Sequence, residues 1–504
     1  MRLFEVVLIF VNLLSLLWSF KKRSKTSLSW IAGINLCVFL IHGVFEGLRY
    51  QMVFSYVFVV LLGVAALAKR NDKFHEFKIP NLLKVIVIGL SFGFLGLTFL
   101  LAYALPVFTL PTPTGSDAVG IHYFHLREEA RIDPFLANST KKRELMIKVY
   151  YPARKDNSKP FSPYFHNSPE LLRLLTTGYG LPVFLFDHLN LVKTNSKDDL
   201  QLSDRQSSYP VVLFSHGAGT TMEVQTSQSE DLASHGYIVV AIDHTYVSAG
   251  TIFPDRIISA KEATTDFNAT DPAEIITQSM ADDAKFVIET LDEMNEGKID
   301  SIFAGRLNLD EIGVIGHSVG GAVAYNLAIN DSRVKAAVDL DGTVFITPKE
   351  DLRQVAPFLM LANDKYHIQM IQNRQTLMKK FEAMDDVDRK ITIETYGSEQ
   401  AYRDAYEKSS QNILGLTKVL KESGALFTID GSDHMKFVDV GLFFGLQPLR
   451  EGMGIGGKTD PARCLEIAKA VTLAFFDQHL KGDAGDSLES LLKAYPELKR
   501  IDLP

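Results

Sequence analysis

Cysteine is nearly absent: the 504 residues hold two, Cys37 in an apolar run and Cys464 far along the chain. That excludes a disulfide framework and a cysteine-based zinc site. Tryptophan is equally scarce, with Trp18 and Trp30 the only two, and there is no internal repeat. At 22% charged and 46% hydrophobic, the chain is too apolar to stay unfolded and too long for one ordinary domain. It also lacks an excess of cations, with a formal net charge of −8. Residues 1–106 hold 11 Lys+Arg against 4 Asp+Glu, whereas the other 398 hold 41 against 56. That acidic remainder would repel phosphates, so nucleic acid is excluded as its partner.

What is present in the basic part is four apolar runs, about Leu3–Phe20, Trp30–Leu48, Met52–Ala68 and Val85–Leu105. About 20 helical residues cross a hydrocarbon core of about 30 Å. The runs therefore predict a helical membrane anchor of about four spans over 1–106, with 107–504 as a globular domain. The last two runs carry no charge; the first holds Glu5, and the second holds His42 and Glu46. Four residues apart on one helix face, His42 and Glu46 read as a pair near a helix end, at headgroup depth. Lys21, Lys22, Arg23 and Lys25 follow the first run, and Lys69, Arg70, Lys73, Lys78 and Lys84 follow the third. Only Arg2 and Arg49 lie on the other side. Basic loops stay cytoplasmic, so the chain is expected to be a multi-pass cell-membrane protein with its globular domain extracytoplasmic. The first run does not read as a signal peptide, because its charges follow it and no small-x-small site closes it. Asn138, Asn268 and Asn330 begin N-x-S/T triplets, which matter only in a eukaryotic secretory setting.

Leu110-Pro111-Thr112-Pro113-Thr114-Gly115 reads as an extended linker. Beyond it, strand-like runs (Met146–Tyr151, Val211–Ser215, Tyr237–Ile242, Ile312–Ile315, Ala336–Leu340, Phe358–Ala362, Leu426–Ile429) alternate with helical patterns. The helices are expected over Ser227–Ser234, Ala273–Asn295, Val319–Ile329, His367–Ala383, Ser409–Lys421 and Pro461–Leu480. Short buried strands between helices predict an α/β fold with a mostly parallel sheet covered on both faces. Val247–Pro272 has weak periodicity and reads as an insertion, a candidate lid.

The sharpest motif is Gly316-His317-Ser318-Val319-Gly320, between an apolar strand and a helix. A serine on so tight a strand-to-helix turn is exposed, and side chains two positions either side would collide were they not glycines. The helix N-terminus favours developing negative charge, which makes the Val319 N–H an oxyanion donor. Val211–Ser215 runs into His216-Gly217-Ala218-Gly219, which suits the other half of an oxyanion hole through the Ala218 N–H. His216 precedes the serine, whereas this fold runs serine, acid, histidine, so it reads as a structural loop residue. His235, His244 and His317 also come too early. The base candidate is His434, after an apolar strand and the turn Asp430-Gly431-Ser432-Asp433. His367, just beyond the strand ending at Ala362, is its competitor. For the acid, Asp339 and Asp341 end one strand and Asp364 follows the next, and spacing alone leaves them open.

Together these residues resemble the plasma-type platelet-activating factor acetylhydrolases and their bacterial relatives, within the α/β-hydrolase fold. The resemblance runs from Pro111-Thr112-Pro113-Thr114-Gly115 through Tyr150-Tyr151-Pro152, Phe214-Ser215-His216-Gly217 and Asp231-Leu232-Ala233-Ser234-His235-Gly236. It continues with the Ser318 motif, Gly431-Ser432-Asp433-His434 and Phe475-Phe476-Asp477-Gln478-His479-Leu480. It implies Asp341 as the acid, giving Ser318, Asp341 and His434, with Asp364 as the alternative. Asp341-Gly342-Thr343 lacks the aromatic residue that the animal enzymes carry after this acid, and the anchor has no counterpart in the soluble members. The expectation is a membrane-anchored serine ester hydrolase acting through an acyl-enzyme on short-acyl phospholipid or other lipid esters. It needs neither metal nor organic cofactor, since protein groups fill every role. A serine peptidase of the same fold and a non-catalytic membrane receptor or accessory protein are the alternatives.

Overall fold

The computed structural model describes residues 1–18, 25–70, 80–166, 169–265, 272–348, 352–363, 365–483 and 487–504. Lys21, Lys22, Arg23, Lys73, Lys78 and Asn268, and the end of the Val247–Pro272 stretch, lie outside the described residues. The chain divides into two compact units.

The first unit gathers Met1–Thr109, Pro163–Lys193 and Leu442–Met453, so two later segments join the N-terminal helices. The helices are α1 (Leu3–Trp18), α2 (Lys25–Phe45), α3 (Val53–Arg70) and α4 (Asn81–Ala104), with α5 (Pro169–Gly178) and α12 (Gln447–Gly452) from the later segments. Thr26–Phe45, Tyr50–Arg70 and Leu82–Ala104 are long and apolar enough to cross a membrane. Against the expected four spans, α1 is apolar but only 16 residues long, described as far as Trp18.

The polar residues inside these apolar runs have structural partners. Arg49 binds both Glu5 carboxylate oxygens, at 2.7 and 2.8 Å, and also reaches the Leu105 carbonyl. Glu46 accepts from the Phe4 and Glu5 amides at 2.8 and 3.2 Å and from His42 Nδ1 at 3.0 Å. The first amides of a helix have no intrahelical acceptor, so Glu46 acts as a cap for α1.

The second unit comprises Leu110–Ser162, Thr194–Gly441 and Gly454–Pro504. Its strands are β1 (Ala118–Ile132), β2 (Lys142–Ala153), β3 (Ser196–Asp198), β4 (Tyr209–Ser215), β5 (Ile238–Asp243), β6 (Gly250–Ile252), β7 (Ile257–Ser259), β8 (Leu307–His317), β9 (Val334–Leu340), β10 (Phe358–Ala362), β11 (Gly424–Ile429) and β12 (Leu498–Arg500). Ten form one sheet in the order β12-β11-β10-β9-β8-β4-β5-β2-β1-β3, and β6 pairs with β7. From β11 to β5 all pairings are parallel, while β12, β2 and β1 attach antiparallel. All seven expected strands are present in this sheet.

Both faces are covered, which is why the central strands read as unbroken apolar runs. Val211 and Leu213 of β4 point into one core with Ala284 of α7 (Pro272–Asn295) and Val323 of α8 (Val319–Asn330). Val212 and Phe214 point into the other, with Leu232 of α6 (Thr226–Ser234) and Ile467 of α13 (Pro461–Leu480). The helix expected over His367–Ala383 is shorter: α9 (His367–Asn373) ends where Arg374 turns left-handed at φ 52°. The pattern at Ser409–Lys421 belongs to a longer helix, α11 (Glu399–Ser423), capped by Ser398 Oγ and preceded by α10 (Asp386–Tyr396). A last helix, α14 (Leu488–Ala494), precedes β12.

Candidate active site

The central sheet reverses its strand order between β4 and β8, which lead to β5 on one side and β9 on the other. Loops at the carboxyl ends of strands diverge at such a point and leave a crevice. Ser215 of β4 is in register with Gly316 of β8, so the loop 216–219 and Ser318 leave the sheet side by side.

Between β8 and α8, Ser318 sits alone in a strained conformation, φ 58° and ψ −122°. Non-glycine residues at positive φ persist only where the surroundings over-determine them. Here the Ser318 amide donates to Leu340 O at 3.1 Å, and its carbonyl accepts from Gly321 N at 2.9 Å. A Cβ on Gly316 would overlap the Gly320 carbonyl, and one on Gly320 would overlap the Ser215 carbonyl. The turn therefore admits glycine alone at both flanking positions. The Val319 amide opens α8, where no intrahelical acceptor is available to it. Ala218 is exposed, and among the described residues its amide donates to no protein group.

Asp341 follows β9 with φ 58°, its amide held by Leu361 O at 3.0 Å. Its buried carboxylate accepts four hydrogen bonds: Oδ1 from Asn363 N (2.8 Å) and His367 Nδ1 (3.0 Å), Oδ2 from Asn363 Nδ2 and His434 Nδ1 (both 2.6 Å). Burial opposes its charge, but the bonds from His367 and His434 outweigh it and hold the carboxyl well below the usual carboxylate range. Asp339 turns elsewhere. Its Oδ1 accepts from Gly342 N at 2.6 Å, and burial pushes its carboxyl up to about 7. Asp364 lies outside the described residues.

His434 opens a 3₁₀ turn beyond β11, 38% exposed, while its partner Asp341 is fully buried. His317 donates from Nε2 to the His434 carbonyl at 2.9 Å, and the two rings stand 4.5 Å apart. The residue before Ser318 thus staples the His434 loop. Burial, with His434 beside it, pushes His317 down to about 3, so its ring stays neutral.

His367 lies on the far side of the Asp341 carboxylate, with Nε2 2.8 Å from Thr343 Oγ1. Burial disfavours its charged form, but Asp341 more than compensates and raises its pKa. It is a second imidazole on the same acid. Asn363 and Thr343 are site residues that sequence reasoning missed. Each follows a strand end, where a polar residue looks like any turn residue.

A family profile described as platelet-activating factor acetylhydrolase, isoform II, matches residues 106–494. The chain is 24% identical over 374 residues to the platelet-activating factor acetylhydrolase of Cavia porcellus, covering 70% of this chain and 76% of that protein. It is 26% identical over 245 residues to a probable 1-alkyl-2-acetylglycerophosphocholine esterase of Arthroderma benhamiae, covering 47% of this chain and 59% of that one. Among solved structures, a ferulic acid esterase from Streptomyces cinnamoneus superposes with a TM-score of 0.56 at 25% identity, over 79% of this chain and all of the esterase. A positive-φ serine between glycines, a two-histidine carboxylate and a profile spanning most of the chain agree: this protein belongs to the platelet-activating factor acetylhydrolase, isoform II, family of serine ester hydrolases.

Proposed function

We propose that the chain is a membrane-anchored hydrolase of short-acyl phospholipids or similar lipid esters, with Ser318 as nucleophile, His434 as base and Asp341 as acid. The observation that carries this reading is the 2.6 Å bond from His434 Nδ1 to Asp341, beside the glycine-flanked turn of Ser318. The bond leaves Nε2 of a neutral imidazole free to accept the Ser318 proton as Oγ attacks the ester carbonyl. Asp341 stabilises the imidazolium that forms, and the Val319 and Ala218 amides hold the oxyanion. His434 then protonates the departing alcohol, leaving an acyl-serine. Water, deprotonated by His434, attacks that ester and releases the acid and free Ser318.

The substrate class follows from the names of the relatives and from the apolar helices, which would tether the enzyme where lipid esters are concentrated. The excess of cations after the first and third apolar runs favours an extracytoplasmic catalytic unit.

Purified full chain in detergent is expected to cleave p-nitrophenyl acetate and 2-acetyl glycerophospholipids, and to be tagged by a fluorophosphonate. Ser318→Ala is expected to do neither. Cleavage of peptide amides alone would overturn the esterase assignment. Protease added to intact cells or spheroplasts is expected to degrade the catalytic unit, and full protection would reverse the orientation.

A further inference from the structure

The His216 ring, with no exposed surface, is fixed between two backbone groups. The His244 amide lies 3.1 Å from Nε2, and a backbone N–H only donates, so Nε2 accepts. Nδ1 lies 2.8 Å from the Gly217 carbonyl, which only accepts, so Nδ1 carries the proton. Only the neutral Nδ1–H tautomer satisfies both partners. Burial, reinforced by His244, keeps it neutral by pushing its pKa down to about 3.

Thr220 adds two more donors to the same Gly217 oxygen, its amide at 3.2 Å and its hydroxyl at 2.7 Å. A peptide unit is planar, and no cis bond occurs among the described residues. Clamping the Gly217 carbonyl therefore points the Ala218 N–H in the opposite direction. The next amide, Gly219, is consumed by Val247 O at 2.9 Å, whereas that of Ala218 donates to no described residue. Gly217 backs directly on the nucleophile, since an added Cβ would come within 3.0 Å of Ser318 Cβ.

We propose that His216 is the positioning residue of the oxyanion site, clamping the Gly217 carbonyl so that the Ala218 N–H is held toward the oxygen that develops above Ser318. This rests on the ester-hydrolase reading of Ser318 and adds what orients one of its donors. A second buried row supports the clamp. His244 Nδ1 lies 2.9 Å from Asp283 Oδ2, and its Nε2 lies 3.1 Å from Ser215 Oγ. Ser215, His244 and Asp283 have the residue types of a hydrolytic triad, but His244 and Asp283 are sealed at 0% exposure. Their work is structural: they hold the end of β5, from which the His244 amide reaches His216.

Three variants test the clamp in the full chain. His216→Gln puts no donor at the Nδ1 position, His216→Asn restores an amide N–H there, and Thr220→Val removes the hydroxyl donor without changing shape. The readouts are kcat and KM for p-nitrophenyl acetate, and Ki for an alkyl trifluoromethyl ketone, which forms a tetrahedral oxyanion on serine. Losing an oxyanion donor outright costs about 10²–10³ in kcat; a misaimed one is expected to cost about 10- to 100-fold in His216→Gln, with KM within about twofold. His216→Asn should recover most of that, and Thr220→Val should lose about 3- to 10-fold. Ki should rise in proportion to the loss in kcat/KM, because both report binding of the oxyanion. Unchanged kcat in folded His216→Gln, or a kcat loss without a Ki change, would overturn the clamp. Should His216→Gln not fold, an unchanged Ki in Thr220→Val overturns it equally. Wild type inactive on esters and untagged by fluorophosphonate would instead refute the Ser318 reading itself.

Discussion

Asp341→Asn is expected to lower kcat by about 10³- to 10⁴-fold while KM stays nearly constant, because an amide at this position fixes the wrong imidazole tautomer. The direction follows from the donors around the carboxylate. Oδ1 faces the Asn363 backbone N–H, which cannot turn away or become an acceptor. The oxygen of the introduced amide must therefore take that side. Its NH₂ is then left facing the Asn363 side chain, which can flip, and His434 Nδ1. To accept from that NH₂, His434 must move its proton to Nε2, the atom that has to be empty to receive the serine proton. His367, bonded on the Oδ1 side, keeps its acceptor. Some stability is lost as well, since the partners that hold the Asp341 carboxyl below its ordinary range favour its charged form, and steady-state kinetics beside a melting curve separate the two effects. Activity within about tenfold of wild type would mean that His434 works without Asp341.

No sequence spacing discloses these contacts. His434 and Asp341 are 93 residues apart, and spacing leaves Asp339, Asp341 and Asp364 open, so that only the family resemblance singles out Asp341. The turn at Ser318 was legible because its requirement is local. Two glycines must flank a serine when strand and helix approach so closely that backbone carbonyls occupy the space of a Cβ. The buried parallel strands were legible for a similar reason, and Phe358–Ala362 coincides with β10. The helix expected over Pro461–Leu480 coincides with α13, where Asp460 caps the start by accepting from Ala462 N and proline takes the first helical position. Long β1 was not expected, since its far half (Arg127, Glu128, Glu129, Arg131) is charged and lies toward a sheet edge with a wetted face. The early turns of α11 were hidden likewise, because their charged and tyrosine-rich sequence has little to bury. The shortened α9 depends on one left-handed residue, Arg374, which carries no compositional mark.

Asp283→Asn is expected to destabilise the catalytic unit by about 3–5 kcal/mol, the usual cost of removing one partner from a buried ion pair. Arg143, fully buried, binds Asp283 through two bonds at 3.0 and 2.7 Å, with Asp133 and the Thr245 carbonyl as its other acceptors. Arg131 and His244 bind the same carboxylate. Neutralising it leaves the Arg143 guanidinium, which solvent does not reach, with Asp133 as its one remaining carboxylate, so most of the penalty is desolvation without compensation. The half-exposed pair Lys499–Asp430 is the control: Asp430→Asn should cost less than about 1 kcal/mol, because solvent already screens it. The measurement is the urea midpoint in the full chain followed by near-UV circular dichroism of the buried tyrosines of the catalytic unit, such as Tyr150, Tyr151 and Tyr209, a readout that does not depend on activity. The pH dependence has a definite sign. Burial opposes the Asp283 charge, yet Arg143 and His244 keep its folded pKa far below the unfolded value of about 3.9. Its contribution is therefore complete above about pH 4 and is lost as pH falls toward the folded value, where the unfolded chain takes a proton that the folded chain refuses. His244, whose pKa burial lowers, adds destabilisation in the same direction from about pH 6.5 downward, in wild type and variant alike. The gap between wild type and Asp283→Asn should hence stay wide at neutral pH and narrow below about pH 4. A gap that is constant down to about pH 3 would mean that Asp283 is not the charged centre of this network.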